Sequence, residues 1–425
     1  MLKFNEELLQ FLWQYKILKP LPLITTSGKE IFVLKNGELN KDSGPDFFNA
    51  QVKIDTIVLV GNIEVHIKTS DWLKHKHEAD KNYDNIILHV VYEHDLDLEQ
   101  NKMYNVEVLE LKNLISDSTI KAYTQLSTSK TKIPCHDQLA DVNDLKFIAW
   151  LERMTIERLE AKVSIIDAYF RSVNGDYTQT FYFLLLRNFG FKVNSLPFEL
   201  LAKNLPITIL LKHSDNLLQL EALLLGVSGL LDNQFEDKYI QQLQNEFDYL
   251  KNKYRLIPLN KAIFKFSKLR PANFPTIRLA QFAKLINTNP GLFIAPYNFS
   301  GYEEIILAHK INLDGYWKNH YNMDGNVTSK DLTLGLTSIE NLIINTFAPF
   351  YFFYSKKIGK EELGVLAIEL LNKCDFEQNT KTKLFSEKKT VLKSAADSQA
   401  AINLFDNYCS KKACLKCGVA TFLLK

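Results

Sequence analysis

From residue 31 to residue 111, short runs rich in β-branched and aromatic residues alternate with turn-forming residues. The pattern predicts strands over 31–34, 47–54, 56–60, 62–67, 86–92 and 106–111. Asn36-Gly37, Ser43-Gly44-Pro45 and Val60-Gly61-Asn62 mark breaks between them. Residues 70–82 are polar and read as a loop or as a short helix capped by Ser70. Ahead of the strands, MLKFNEELLQFLWQYK predicts an amphipathic helix with acids in its first turns. Residues 113–145 are rich in Ser, Thr, Lys and Asp with little periodicity, which predicts a linker carrying short helices. From about Asp144 apolar residues recur at steps of three and four, through 147–170, 176–190, 235–253, 276–288, 328–346, 361–374 and 395–408. The expected architecture is α+β: an α/β domain over 1–115, a linker over 116–145, and a mostly α-helical region over 146–425 ending in a cysteine-rich tail.

The composition narrows the class. Of 425 residues 46% are hydrophobic and 24% charged, with only 16 Gly and 12 Pro, which excludes a disordered or collagen-like chain. Fifty-one cations against 49 anions exclude a uniformly basic nucleic-acid coat, so any affinity for phosphate must come from local clustering. The N-terminal segment has no uninterrupted apolar core and does not read as a secretory signal. The most apolar stretch, 342–354, contains Asn345, Thr346 and Pro349 and is too short to span a bilayer. Five cysteines in a chain of this kind argue against a disulfide framework, and a cytoplasmic location is expected.

Candidate chemistry concentrates in the strand-rich part. Five of nine histidines, His66, His75, His77, His89 and His94, fall between residues 66 and 94, with Asp71, Glu78 and Asp80 among them and Asp46 and Glu64 shortly before. Strand alternation puts Glu64, His66 and Lys68 on one face and Ile63, Val65 and Ile67 on the other. The ionisable face is expected to open onto a cleft. Asp46 begins the preceding strand, so a hairpin would bring Asp46 and Glu64 together at one end of the sheet. Two carboxylates on adjacent strands suit Mg²⁺ (or Mn²⁺), and His66 or Lys68 beside them could handle a proton or neutralise phosphate charge. Against this stand plainer roles: Asp46 as a turn cap, Glu64, His66 and Lys68 as a solvated strand face, His75 and His77 in an exposed loop, His89 as a hydrogen-bonded core histidine, and His94 at the surface.

Pro45-Asp46 followed by Glu64-Val65-His66 resembles the signature of the PD-(D/E)xK nuclease superfamily. The resemblance implies a restriction-endonuclease-like mixed β-sheet domain in which Asp46 and Glu64 hold Mg²⁺. It departs from the pattern at the lysine, whose position is taken by His66, the nearest same-face lysine being Lys68. The longer string from Gly44 to Asp95, with RPANFPTIRLAQFA, SAADSQAAINL and the cysteine tail, resembles an uncharacterised bacterial family classed as a domain of unknown function. That second resemblance implies bacterial origin and a nuclease-like core but no known activity. With the PD-(D/E)xK-like residues, the expected function is a metal-dependent nuclease acting on phosphodiester bonds. Two alternatives stay open: a non-catalytic nucleic-acid- or protein-binding scaffold derived from that fold, and a zinc hydrolase using His66, His75, His77 and Asp80.

Two further stretches bear on partners. Residues 251–278 hold Lys251, Lys253, Arg255, Lys261, Lys265, Lys268, Arg270 and Arg278 with no acid, interleaved with Tyr254, Phe264, Phe266 and Phe274. Cations for phosphates and rings for bases suit single-stranded or irregular nucleic acid, the alternative being core aromatics beside a solvated basic face. In the tail, Cys409, Cys414 and Cys417 are spaced closely enough to share Zn²⁺ or an iron–sulfur cluster, with Cys135, Cys374 or a histidine as fourth ligand. Lys411, Lys412 and Lys416 are expected to lower the thiol pKa values. The cluster reading rests on a loose resemblance to end-processing nucleases of the same superfamily.

Overall fold

The computed structural model describes residues 5–75, 80–97, 106–296, 298–323, 325, 327–328 and 332–424. The chain divides into two compact units, the first comprising 1–151, 383–391 and 402–425, the second 152–382 and 392–401.

The first unit is built on a seven-stranded mixed sheet: β1 (Leu23–Ile24), β2 (Glu30–Lys35), β3 (Glu38–Leu39), β4 (Phe47–Ile54), β5 (Ile57–Lys68), β6 (Ile86–Glu93) and β7 (Glu107–Glu110). The order is β1-β2-β4-β5-β6-β7, with β3 paired to β4. Pairing is antiparallel as far as β4–β5 and parallel for β5–β6 and β6–β7. Asp55 turns the β4–β5 hairpin with a left-handed φ of 50°. The parallel step from β5 to β6 requires a crossover, which carries the short helix α2 (Asp71–Lys74). The break expected at Gly61 is absent, and one strand runs from 57 to 68. Gly61 is there because a Cβ would meet the Asn85 carbonyl oxygen at 2.6 Å and Ile87 at 2.5 Å, where the parallel partner begins. The ionisable face of β5 is not an open cleft either: residues 63–66 are all buried, with α1 (Glu6–Gln14) and α2 packed on this strand.

Residues 116–145 form part of this unit, not a linker. Ser116 caps α3 (Asp117–Thr128) by accepting the Thr119 N–H at 3.1 Å, and Leu126, Ile133, Leu139 and Val142 are buried. A few apolar anchors in a polar stretch suffice to hold it. The cysteine tail also belongs here and not with the helical region. The Thr119 hydroxyl donates to the Leu424 carbonyl at 3.2 Å, and the Lys412 ammonium to the Ser129 carbonyl at 2.9 Å. A Cβ on Gly418 would meet the Trp150 ring at 2.4 Å, so glycine lets the tail lie against the indole.

The second unit is helical: most of α4 (Asp144–Ser172), then α5 (Tyr177–Phe189), α6 (Phe191–Asn204), α7 (Ile207–Leu211), α8 (Leu217–Val227), α9 (Lys238–Tyr254) and α10 (Pro275–Thr288). Later a continuous helix is made of Leu336–Leu342, a π-helical turn Ile343–Phe347, and Ala348–Ile358. It starts well after the expected residue 328. Residues 220–227 of α8 are all buried, because LEALLLGV is apolar or small all round except at Glu221, whose carboxylate is met by Tyr239 and Trp317. Among the described residues no helix is long and apolar enough to cross a membrane.

Candidate metal centre

Helix α1 is capped by Asn5, whose side chain accepts the Leu8 N–H at 3.1 Å. The helix buries Leu8, Leu9, Phe11, Leu12 and Trp13. Glu6 and Gln10 lie one turn apart on its other side. Gln10 donates to Asp46 Oδ1 at 2.8 Å, and Asp46 Oδ2 accepts the Val65 N–H at 2.9 Å. The Asp46 N–H in turn donates to Glu64 Oε2 at 3.2 Å. Asp46 and Glu64 therefore converge as the hairpin pattern predicted, since Phe47 pairs with Ile63 across β4 and β5.

His66, two residues beyond Glu64, is 1% exposed and continues the cluster. Its Nδ1 lies 2.9 Å from His89 Nε2 on β6, its Nε2 3.1 Å from His75 Nδ1, and the same Nε2 3.4 Å from Glu64 Oε1. Trp72 packs edge-on against His66 and closes over His89 with ring centroids 5.0 Å apart. Both ring nitrogens of His66 are thus engaged, which fixes the imidazole orientation. Donor atoms of Glu6, His66 and His75 all lie within 4.8 Å of one another. Glu6, at the start of the chain's first helix, thus joins His66 and His75 beside the Asp46–Glu64 pair.

The electrostatics of this site are those of crowded acid. Burial pushes the Glu64 carboxyl up to about 9, with the Asp46 charge as the next cause and Glu6 adding to it. Asp46 is raised to about 6, again mainly by burial and further by Glu6, while the Val65 N–H and Gln10 pull it back. Glu6 is itself raised by burial, with His75 opposing. Near neutral pH the Asp46–Glu64 pair therefore retains a proton. Tyr83 borders the cluster, its phenol pushed up to about 12 by burial and then by Glu64 and Asp46.

The other predicted residues are placed as follows. Lys68 is not drawn into the cluster: its ammonium lies 3.6 Å from Glu93 and 3.8 Å from Asp95. Asp80 is exposed and caps the next turn by accepting the Asn82 N–H, and His77 lies outside the described residues. His94 Nδ1 meets the Thr69 hydroxyl at 2.9 Å. Ser70 does not cap α2; its hydroxyl donates to Asp95. In the basic stretch the rings are structural: Phe264 is buried, Phe266 and Phe274 stack edge-on at 5.2 Å, and the Tyr254 hydroxyl meets His213. Lys265, Lys268 and Arg270 are exposed, Lys261 is held by Asp232 and Asn233, and Arg278 is buried.

In the tail, Cys135 joins Cys409, Cys414 and Cys417. All are free thiols; the Cys409 sulfur senses the other three, and Cys135 senses Cys414 and Cys417. Cys374 lies in the second unit with Glu340, Glu377 and Asp375 about its thiol. The lysines do not lower these pKa values overall. Burial raises all four, to about 12 for Cys135 and Cys417, and of the lysines only Lys412 pulls against it, at Cys414. Lys416 instead pairs with Glu7 at 3.6 Å, so the tail braces the helix that carries Glu6.

Sequence reasoning missed Glu6 and left Cys135 among alternatives. The polar side of α1 resembled any solvated helix face, although Glu6 and Gln10 at helical spacing were its one visible signal.

Residues 6–380 match the family described as "Protein of unknown function (DUF2851)", and the chain belongs to that family. The match includes RPANFPTIRLAQFA and stops before SAADSQAAINL and the cysteine tail. No curated protein and no solved structure matches the chain.

Proposed function

We propose, since family membership assigns no chemistry here, that the first unit is a metal-dependent phosphodiesterase acting on nucleic acid. The observation that carries this is the meeting of Glu6, His66 and His75 donor atoms within 4.8 Å of one another, beside the hydrogen-bonded Asp46–Glu64 pair. A fold gains nothing by burying like charges together, and a divalent ion is the usual compensation. Glu6, His66 and His75 form a donor group that fits such an ion, with Asp46 and Glu64 beside it, and the imidazoles favour Mn²⁺ over Mg²⁺. When bound, the ion would activate water and polarise the phosphodiester. The chain's own residues supply the rest. Asp46 is aimed by Gln10 and the Val65 N–H, and His66 is held in orientation by His89. The antiparallel β4–β5 hairpin, the parallel β6 and α1 across the strands support the restriction-endonuclease-like reading. The exposed Lys265, Lys268 and Arg270 are the cations offered to a nucleic-acid backbone.

A second centre is supported by the four cysteines. The donor set of four thiols fits a Zn²⁺ ion or an iron–sulfur cluster.

The test is cleavage of single- and double-stranded DNA and RNA with Mg²⁺ or Mn²⁺, using the wild type and a folded Asp46→Ala, Glu64→Ala double variant. Metal-dependent cutting confined to the wild type is expected. Binding of nucleic acid without cutting by either protein would replace this reading with that of a scaffold.

A further inference from the structure

The second unit buries a cation that the proposed hydrolysis does not use. Arg278, in the first turns of α10, is 4% exposed. Its Nη1 donates to Gln281 Oε1 at 2.9 Å, its Nη2 to Asn273 Oδ1 at 2.5 Å and Ser338 Oγ at 3.4 Å, and its guanidinium lies 4.4 Å from the centre of the Phe191 ring. Every one of these neighbours is neutral. Arg278 Nε is buried with no hydrogen-bond partner, and among the described residues no carboxylate forms an ion pair with this side chain. Buried guanidinium groups are normally matched by an anion, because desolvation is otherwise uncompensated.

A pocket of 280 Å³ opens beside it, lined by Lys192, Asn273, Thr337, Ser338 and Asn341, with Phe191 and Leu269 as apolar wall. No acid lines it. The wall is held in an unfavourable backbone state: Phe191 has a left-handed φ of 47°. Gly190 precedes it where a Cβ would meet the Asn194 backbone at 2.3 Å. Asn194 then pins the turn by bonding both the N–H and the carbonyl of Lys265, at 2.8 and 2.9 Å. Strain, a pinned turn and an unmatched cation converge on one small space.

We propose that this pocket binds a phosphate monoester, whose charge the unmatched Arg278 guanidinium in its lining would balance. Lys192, Thr337, Ser338 and Asn341 form a rim of further donors. So many donors exceed what the two oxygens of a carboxylate can use and suit the terminal oxygens of a phosphate. The volume accommodates the phosphate and a body about the size of a sugar, below the range of drug-sized sites. Free phosphate, a mononucleotide and the phosphorylated end of a strand share this group, and titration separates them.

Calorimetric titration of the full chain uses inorganic phosphate, adenosine 5′-monophosphate, adenosine, and one oligonucleotide with and without a 5′-phosphate. Binding of at least one phosphate-bearing probe at one site per chain is expected, with none by adenosine. Arg278→Gln should weaken it about tenfold or more, as for losing a charge-assisted hydrogen bond. The exposed rim variants Lys192→Met and Thr337→Val, which leave the core intact, should each weaken it several-fold. Asp46→Ala, Glu64→Ala should bind as the wild type does, so failure of the hydrolase reading leaves this one standing. Binding by the phosphorylated oligonucleotide alone would assign the pocket to strand ends. No binding of any phosphate-bearing probe, or binding unaffected by both rim variants, overturns the proposal.

Discussion

Glu64 in the first unit and Glu221 in the second are both buried carboxylates, and burial is the main cause raising the pKa of each. Their surroundings differ in kind. Glu221 Oε2 accepts the Tyr239 hydroxyl at 2.6 Å and the Trp317 indole N–H at 2.8 Å, two neutral donors supplied by the packed core. Glu64 is set beside Asp46, with Glu6 and a row of histidines completing the group. The first arrangement satisfies a buried acid and needs nothing more. The second accumulates like charge and ligating nitrogen, which packing alone does not reward. The contrast separates a structural acid from a site: the deciding feature is not burial but the company the carboxylate keeps.

The largest expected effect breaks the comparison at Glu64. Alanine at Asp46 or Glu64 should lower metal-dependent cleavage by more than the roughly 10–100-fold seen when only an outer-shell partner of a metal ligand is lost, as read from kcat/KM. His89→Gln disturbs such an outer partner, because His89 orients His66 without reaching Glu6, and should fall within that range. Tyr239→Phe should do the reverse. It removes one donor to Glu221 and should cost about 1–3 kcal/mol of stability by denaturant titration, with cleavage unchanged.

A pH series sharpens the comparison. Glu64 and Asp46 have folded-state pKa values raised above their unfolded ones, so the folded chain holds the extra protons between the two. Stability of the metal-free protein should then be full at low pH with respect to these groups and decline as pH rises from about 4.5 toward about 9. Added Mn²⁺ should raise the melting temperature more at pH 8 than at pH 5.5, and Glu64→Gln should flatten the metal-free profile. A metal-free melting temperature that rises across that interval in the wild type but not in Glu64→Gln would contradict the assignment. The smallest effect is expected at Lys68, whose ammonium serves Glu93 and Asp95: Lys68→Ala should change stability by about 0–1 kcal/mol and leave cleavage nearly unchanged.

What could be read from the sequence follows from which signals are local. Strand β4 matches its expected limits, and Asp46 meets Glu64, because a period of two and a tight hairpin are written in neighbouring residues. Gly61 misled because a glycine required by a close parallel neighbour looks the same in sequence as one required by a turn. Glu6 was hidden because its partners lie some sixty residues on and its helix face looked merely polar. The tail's place in the first unit rests on single long-range bonds such as Thr119 to Leu424, which no local pattern announces. The aromatics of 251–278 illustrate the opposite error: their spacing suited base stacking, but the core claimed the rings.

The most direct test of the central claim is calorimetric titration of the metal-free protein with Mn²⁺ at pH 8, in two buffers of different ionisation enthalpy, for the wild type and Glu64→Gln. The account predicts saturable binding by the wild type with release of about one proton, as the retained carboxyl proton is displaced, and strongly weakened binding without that release in the variant. Equal Mn²⁺ affinity in the two proteins, or no binding by the wild type, would contradict it.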